Sequence, residues 1–417
     1  FLRQDFNDRN SLEVQVVGTL SSSAYRRSNS YFFTVPNGPG MGGASDVNHY
    51  IMNVDSRRRS LISEVSYIHN FSQNTTLSAG FQNTVSHSTN KYLDSDYKPV
   101  LTENNNYVYA RLGQNFGPVY LSLSTGAKLF WIENDQNKRH FIRNISTAYA
   151  SWTISPRWSL AAAFQYTPGI PSLSALTDHP QQSTPYLVSN GNPDLKVSEN
   201  FRYQFMPSFQ YKKFNTSLLM NLSQTRNFVM DDVVYMGNHL FLSQSINARK
   251  SWYAGANLNM QVRDIAGFGA SINLGLDHYE TMGDGWSHHL TSFDASFSLW
   301  WNRGPFTISY WRKVPGKYLS GHLVGKDENG DSLQFEYKPD KHWTLGASWM
   351  YMFDVKGTKY PSWNYSSVNP SERERYIKNN GNMVVLSVSY SADFGSIFRT
   401  GRRSLNNSDN TSSLLKL

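Results

Sequence analysis

Apolar and polar positions alternate along this chain in short runs that recur from one end to the other. In the last of them, residues 382–394, Val384, Leu386, Val388, Tyr390, Ala392 and Phe394 share one parity, and Val385, Ser387, Ser389, Ser391 and Asp393 share the other. A strand sends successive side chains to opposite faces, so the run predicts a strand with one apolar face and one small, polar face. Leu12, Val14 and Val16 alternate in the same way with Glu13 and Gln15, and Val119, Leu121 and Leu123 with Tyr120, Ser122 and Ser124. Leu218, Met220 and Leu222 form one face; so do Phe293, Ala295, Phe297, Leu299 and Trp301, against Ser292, Asp294, Ser296 and Ser298. Leu333, Phe335 and Tyr337, then Leu345, Ala347, Trp349, Tyr351 and Phe353, complete the set. A soluble sandwich strand can alternate too. Repetition along the whole chain is what an all-β, up-and-down antiparallel transmembrane barrel produces, with lipid outside and water inside. Asp294, Glu336 and Lys338 then face the lumen, since a charge at the lipid midplane costs ~2–4 kcal/mol.

The connections support this. Short turns rich in Gly, Pro, Asn and Asp are expected at 6–10, 71–75, 115–118, 155–158, 211–215, 264–267, 302–305 and 338–342. Between them lie long connections at about 26–58, 90–105, 134–140, 168–196, 230–239, 282–286, 314–330 and 355–380. Short turns on one rim and long loops on the other fit an outer-membrane barrel with periplasmic turns, extracellular loops and both termini periplasmic. This reading gives about sixteen full strands, plus a stub at residues 1–5 that ends a seventeenth. An odd number does not close in lipid, which predicts the C-terminal part of a longer barrel. The alternative is a leader followed by a sixteen-stranded barrel that closes on itself. The predicted organisation is a barrel domain at 1–394 and a flexible, polar periplasmic tail at 395–417, which contains Arg399, Arg402, Arg403 and the run LNNSDNTSS.

Composition narrows the class. Of 417 residues, 39% are hydrophobic, 14% aromatic and 17% charged, and the mean hydropathy is −0.51. No stretch approaches ~18 consecutive apolar residues, so a helical membrane protein is excluded. The 25 Tyr, 24 Phe and 11 Trp suit aromatic girdles at two membrane interfaces. The absence of cysteine removes a disulfide scaffold and thiolate metal sites. A net charge of +8 raises nucleic acid as a partner. Arg57-Arg58-Arg59 and Arg402-Arg403, however, are short runs in expected loop or tail sequence that suit anionic headgroups equally, so no nucleic-acid partner is expected. No signal peptide is visible and the chain starts at Phe1; a processed or truncated N-terminus explains both.

One stretch carries specific letters. Pro168-Gly169-Ile170-Pro171-Ser172-Leu173-Ser174-Ala175-Leu176 is followed by Gly191-Asn192-Pro193-Asp194-Leu195-Lys196. The second segment reads as a turn that ends a long loop, because Pro193 has no N–H for a ladder and the strand resumes at Glu199. This order, "PSL..L" and then "GNPDLK" opening a strand, resembles the barrel domain of TonB-dependent outer-membrane receptors, in particular their outer-membrane β-barrel family. At the level of strand pattern the resemblance covers nearly the whole chain, and its specific letters lie in 168–199. Members commonly continue with "KPE", whereas here Val197 and Ser198 separate Lys196 from Glu199. We read Pro171, Ser172, Leu173, Gly191, Asn192, Pro193, Asp194, Leu195 and Lys196 as structural. The resemblance implies a 22-stranded barrel, with about five strands upstream. It also implies an N-terminal plug and a TonB-interacting segment; neither is found in this sequence, and truncation at Phe1 would remove both.

Candidate ligand contacts lie in the external loops: Tyr31-Phe32-Phe33, Trp286-Ser287-His288-His289, and Tyr360-Pro361-Ser362-Trp363-Asn364-Tyr365. Aromatic faces stack on sugars or planar ligands, and Asn and His form hydrogen bonds; the alternative is that these rings belong to girdles or pack loops together. His288 and His289 are strand neighbours pointing opposite ways, so a shared metal is not expected. Asp277-His278 and Asp178-His179 lack a third member, so no catalytic triad, enzyme activity or cofactor is expected. The leading expectation is an outer-membrane TonB-dependent-type importer. Its partners would be outer-membrane lipid and lipopolysaccharide, an N-terminal plug, the TonB complex and an extracellular ligand. A passive porin-like channel and a surface adhesion or assembly barrel are the alternatives. Aromatic loops lean toward glycan; siderophore, cobalamin-like and peptide ligands stay open.

Overall fold

The structure, a computed structural model, describes residues 1–34, 45–93, 97–134, 138–392, 405 and 407. The strands in chain order are β1 (Leu2–Asn7), β2 (Asn10–Thr34), β3 (Ser45–Asn70), β4 (Thr75–Tyr92), β5 (Val100–Phe116), β6 (Val119–Asn134), β7 (Lys138–Thr153) and β8 (Trp158–Gly169). A one-turn helix α1 (Leu173–Leu176) leads to β9 (Gln181–Thr184), β10 (Leu187–Asn190), β11 (Ser198–Tyr211), β12 (Phe214–Gly237), β13 (Leu240–Ile265) and β14 (Phe268–Met282). Then come β15 (Ser287–Arg303), β16 (Phe306–Val314), β17 (Lys317–Ser320), β18 (Leu323–Lys326), β19 (Gly330–Tyr337), β20 (Trp343–Met350), β21 (Thr358–Asn364), β22 (Ser371–Ile377) and β23 (Met383–Tyr390).

Nineteen strands form one sheet, and β17, β18, β21 and β22 form a second of four. Setting aside the β9–β10 hairpin, the large sheet is a meander of seventeen antiparallel strands. Each hydrogen-bonds its neighbour along the chain, from β1–β2 through β8–β11 and β16–β19 to β20–β23. The stub at 1–5 is therefore a strand, paired Leu2↔Val14 through Asp5↔Ser11, rather than a leader. Among the described residues, β1 pairs only with β2 and β23 only with β20, so the sheet has two edges.

Burial runs inside out relative to a soluble protein. Glu13 is 0% exposed, Gln15 and Glu64 6% each and Asn90 0%, while Leu20 is 83% exposed and Leu386 78%. The register continues this division across strands: Phe205, Met220, Ala256, Leu276 and Phe293 form one outward row through successive pairs. Polar side chains crowd together on the inner wall and apolar ones face outward, which is a stable arrangement only where the outside is lipid.

Outward aromatic pairs mark two levels. Trp158 packs on Phe209, Trp343 on Tyr390 and Phe306 on Tyr337 near the short turns, with ring centroids 4.7, 4.8 and 4.9 Å apart. Tyr166 packs on Phe201 at 4.8 Å, toward the other end. Positions 201 and 209 of β11 are thus one repeat of the girdle apart. At ~3.3 Å rise and ~40° tilt this is ~20 Å of height, close to the ~25 Å apolar band of an outer-membrane barrel.

All eight expected short turns link consecutive strands. The long connections are shorter than the pattern suggests. β2 continues to Thr34 and β3 begins at Ser45, and β12 and β13 close on Asn238 and His239, whose positive φ values of 51° and 62° suit a tight hairpin. Arg57, Arg58 and Arg59 accordingly lie inside β3 rather than in a loop. The Arg58 guanidinium is buried and donates from Nη1 to Ser88 Oγ at 3.0 Å and Glu103 Oε2 at 3.1 Å. The physical reason is that lipid demands alternation only across the membrane. Beyond it the ladder continues with polar residues on both faces, so apolar periodicity ends before pairing does. Arg399, Arg402, Arg403 and residues 393–394 lie outside the described residues, as does most of the 395–417 segment.

Candidate functional site

At the long-loop rim, two constructions stand above the barrel. The first is the segment bearing the GNPDLK letters. Ser172 Oγ accepts from Ala175 N at 3.3 Å and caps α1. Gly191 N donates to Thr177 O at 3.0 Å and Asn192 N to Ala175 O at 2.6 Å. The backbones are so close that a Cβ on Gly191 would overlap the Thr177 carbonyl and amide, which admits only glycine. Asn192 Oδ1 accepts from Asp194 N at 2.9 Å, and its Nδ2 donates to Ser245 O at 3.0 Å. Asn247 acts as a side-chain strand: its Oδ1 accepts from Lys196 N at 2.7 Å and its Nδ2 donates to Lys196 O at 3.1 Å. Leu195 is 2% exposed, and Arg139 Nη1 donates to its carbonyl at 2.8 Å. β10 adds in parallel to β13, Leu187↔Phe241 through Asn190↔Gln244. The letters thus fasten a loop to the upper ends of β7 and β13. Pro171, Pro193 and Asp194 sit within this frame; the Leu173 side chain lies outside the described residues.

The second construction is the four-stranded sheet, anchored to β15 where Lys317 N donates to Ser292 Oγ at 2.6 Å. Its β17–β18 turn carries His322 into contact with the residues before β15. Trp286 stacks on His288, centroids 5.1 Å apart, and packs on His322 at 4.1 Å. Tyr365 lies 5.7 Å from His288, and its backbone N donates to His322 O at 2.8 Å. His322 Nδ1 is 2.9 Å from His288 Nε2, and His322 Nε2 is 3.3 Å from Asp232 Oδ1. The two rings share one hydrogen bond, donated by whichever of the two nitrogens carries the proton. Burial, then His322 and His289, hold the His288 pKa below the ordinary histidine value.

Three expected residues therefore meet here: Trp286, His288 and Tyr365. Trp363 joins from β21 under the Lys317 ammonium, 4.1 Å from its ring centroid. Asn364 shapes the following loop, with Oδ1 accepting from Ser366 N at 3.1 Å and Nδ2 donating to Asn369 O at 3.0 Å. Tyr360 faces Arg375 across the sheet, apart from the cluster. The side chains of Tyr31 and Phe32 lie outside the described residues. Sequence reasoning missed His322 and Asp232: a single histidine beside Gly321 and one of two adjacent aspartates carry no periodic or spacing signal. Elsewhere, Asp277 accepts from Tyr253 on the inner wall at 2.8 Å, while His278 bonds Thr291 at 2.8 Å on the outer face. His179 stacks on Tyr97 at 4.1 Å, and Asp178 accepts from Asn190 at 2.7 Å. Asp277 and His278 thus lie on opposite faces of β14. No metal-sized grouping of His, Asp and Glu occurs among the described residues. Beside the sheet, a recess of about 450 Å³ is lined by Glu328, Phe353, Asp354, Lys356, Lys359 and Tyr376.

The model of the outer membrane protein beta-barrel family matches residues 18–413. No curated protein sequence matches the chain. Among solved structures, the copper transporter OprC superposes with a TM-score of 0.68 at 12% identity, covering 92% of this chain and 63% of that one. The ferric-catecholate import receptor Fiu of E. coli K12 gives 0.64 at 10% identity, covering 93% of this chain and 62% of that one. The FrpB iron transporter of Neisseria meningitidis gives 0.58 at 12%, covering 91% of this chain and 71% of that one. The chain thus spans about 60–70% of the length of these proteins.

Proposed function

The chain belongs to the outer membrane protein beta-barrel family, and from that premise we propose that it is the barrel of an outer-membrane importer of the TonB-dependent type. The observation that carries this reading is the pairing of a large sheet that has one polar and one apolar face with a second, four-stranded sheet at its long-loop end. A passive channel needs only the wall. Here a second sheet is tied to β15 at its long-loop end, and Trp286, His288, His322 and Tyr365 gather with Asp232 beside it, while Trp363 packs under Lys317 within it. Such a set offers aromatic faces and hydrogen-bonding groups to a planar or polyhydroxylated ligand, as glycans and siderophores are. The copper, iron and ferric-catecholate transport named for the fold neighbours supports import as the activity class.

In this reading the second sheet captures ligand outside, and energy from the TonB complex moves a plug within the lumen. The two edges of the sheet are joined by further strands, because an unpaired edge in lipid leaves backbone groups unsatisfied at several kcal/mol each. Uptake in cells tests it. Ligand accumulation that stops on loss of TonB or of the proton gradient, and falls in Trp286→Ala and His288→Ala, is the expected result. Solute flux indifferent to both would replace the importer with a porin-like channel. Mass spectrometry of the native outer-membrane band reads the rest: plug peptides and further strands are expected in the same polypeptide.

A further inference from the structure

On the inner wall, β2, β3, β4 and β5 present a polar group built around Glu64. Tyr109 Oη donates to Glu64 Oε1 at 2.5 Å, and Gln82 Nε2 donates to Glu64 Oε2 at 3.2 Å. Into this group fits a residue distant in sequence, Asn407. Its Nδ2 donates to Glu64 Oε2 at 2.7 Å and Gln15 Oε1 at 3.0 Å, and its Oδ1 accepts from Gln82 Nε2 at 2.8 Å. Its backbone N donates to Gln15 Oε1 at 3.3 Å. Each polar atom of the carboxamide has a partner, and Glu64 and Gln15 are each only 6% exposed. Two residues earlier, Leu405 is 7% exposed.

The depth of this site matters. Tyr390, the last residue of β23, pairs with Trp343 beside a short turn, at the short-turn rim. Gln15, Glu64 and Gln82 lie five to seven positions along their strands from the short-turn ends at Asn10, Asn70 and Thr75. At ~3.3 Å per residue and ~40° tilt, that puts Asn407 roughly 13–18 Å from the short-turn rim.

We propose that the inner wall of β2–β5 carries a carboxamide-binding site whose ligand is the chain's own Asn407, and that Leu405 and Asn407 are fixed against that wall. The geometry selects a carboxamide over a carboxylate. Aspartate at 407 has the same shape but loses both donors and sets a second negative charge against Glu64.

The chain has no cysteine, which makes the test direct. In the whole polypeptide in outer membranes, Gln15→Cys with Asn407→Cys is expected to form a disulfide, seen as a gel shift reversed by reductant. Val16→Cys with Asn407→Cys is expected not to, since Val16 is 57% exposed on the opposite face. Equal crosslinking of both pairs, or of neither, overturns the proposal. In single Leu405→Cys protein, labelling by a hydrophilic maleimide should be slow, and adding Asn407→Asp should speed it by about tenfold or more. Fast labelling without the aspartate, or no change with it, also overturns the proposal. Heat-modifiable mobility of each variant on gels confirms that the barrel has folded.

Discussion

Gly191 and Asn247 show how single residues hold the 170–196 loop. Alanine at 191 needs space occupied by the Thr177 backbone, which cannot retreat without breaking the Gly191 N to Thr177 O bond. Asn247→Ala removes both bonds to the Lys196 backbone, which water can then reach, at about 0.5–1.5 kcal/mol for each bond. Both variants should retain the barrel's heat-modifiable mobility but expose the 170–196 segment to limited proteolysis; unchanged proteolysis would remove these residues from that role. His288 makes a pH prediction, outside the membrane-spanning part. Its folded pKa is depressed, so the neutral ring contributes stability that is present above about 6.5 and lost as pH falls through the folded value. Docking of the four-stranded sheet should therefore weaken from pH 7 toward 5, read as faster amide exchange in β17 and β18. His288→Gln should flatten that dependence.

At the scale of elements, the outward and inward faces of one strand should respond oppositely to charge. Leu276 of β14 is 54% exposed in the middle of the outward apolar row, and Ser271 lies on the opposite parity of the same strand. Leu276→Arg should cost ~2–4 kcal/mol in folding into lipid vesicles, and Ser271→Lys close to nothing. Equal costs would mean that the faces have been assigned wrongly. Parity made these faces legible from the residues alone, and the eight short turns were legible through their Gly, Pro, Asn and Asp. The upper strands were not. Residues 45–58 and 230–237 lie in ladders, yet their side chains follow no apolar period because both faces meet water or other polar groups.

For the whole molecule, the seventeen strands make an open meander whose edges, β1 and β23, each have one described neighbour. Closure in a bilayer by added strands predicts a native band larger than this chain, resistant to SDS until heated; a band of this chain's size would show that it closes by itself. The sequence by itself determined the strand class, the parity of the two faces and the short turns, because lipid on one side and water on the other impose a period of two, and the letters of 168–199 pointed to the family. Only the tertiary structure brought His322 and Asp232 to Trp286 and His288, made GNPDLK a fastening to β13, and set Asn407 against Glu64. Those contacts join residues 34 to 343 positions apart, and in sequence such separations carry no period and no spacing to read.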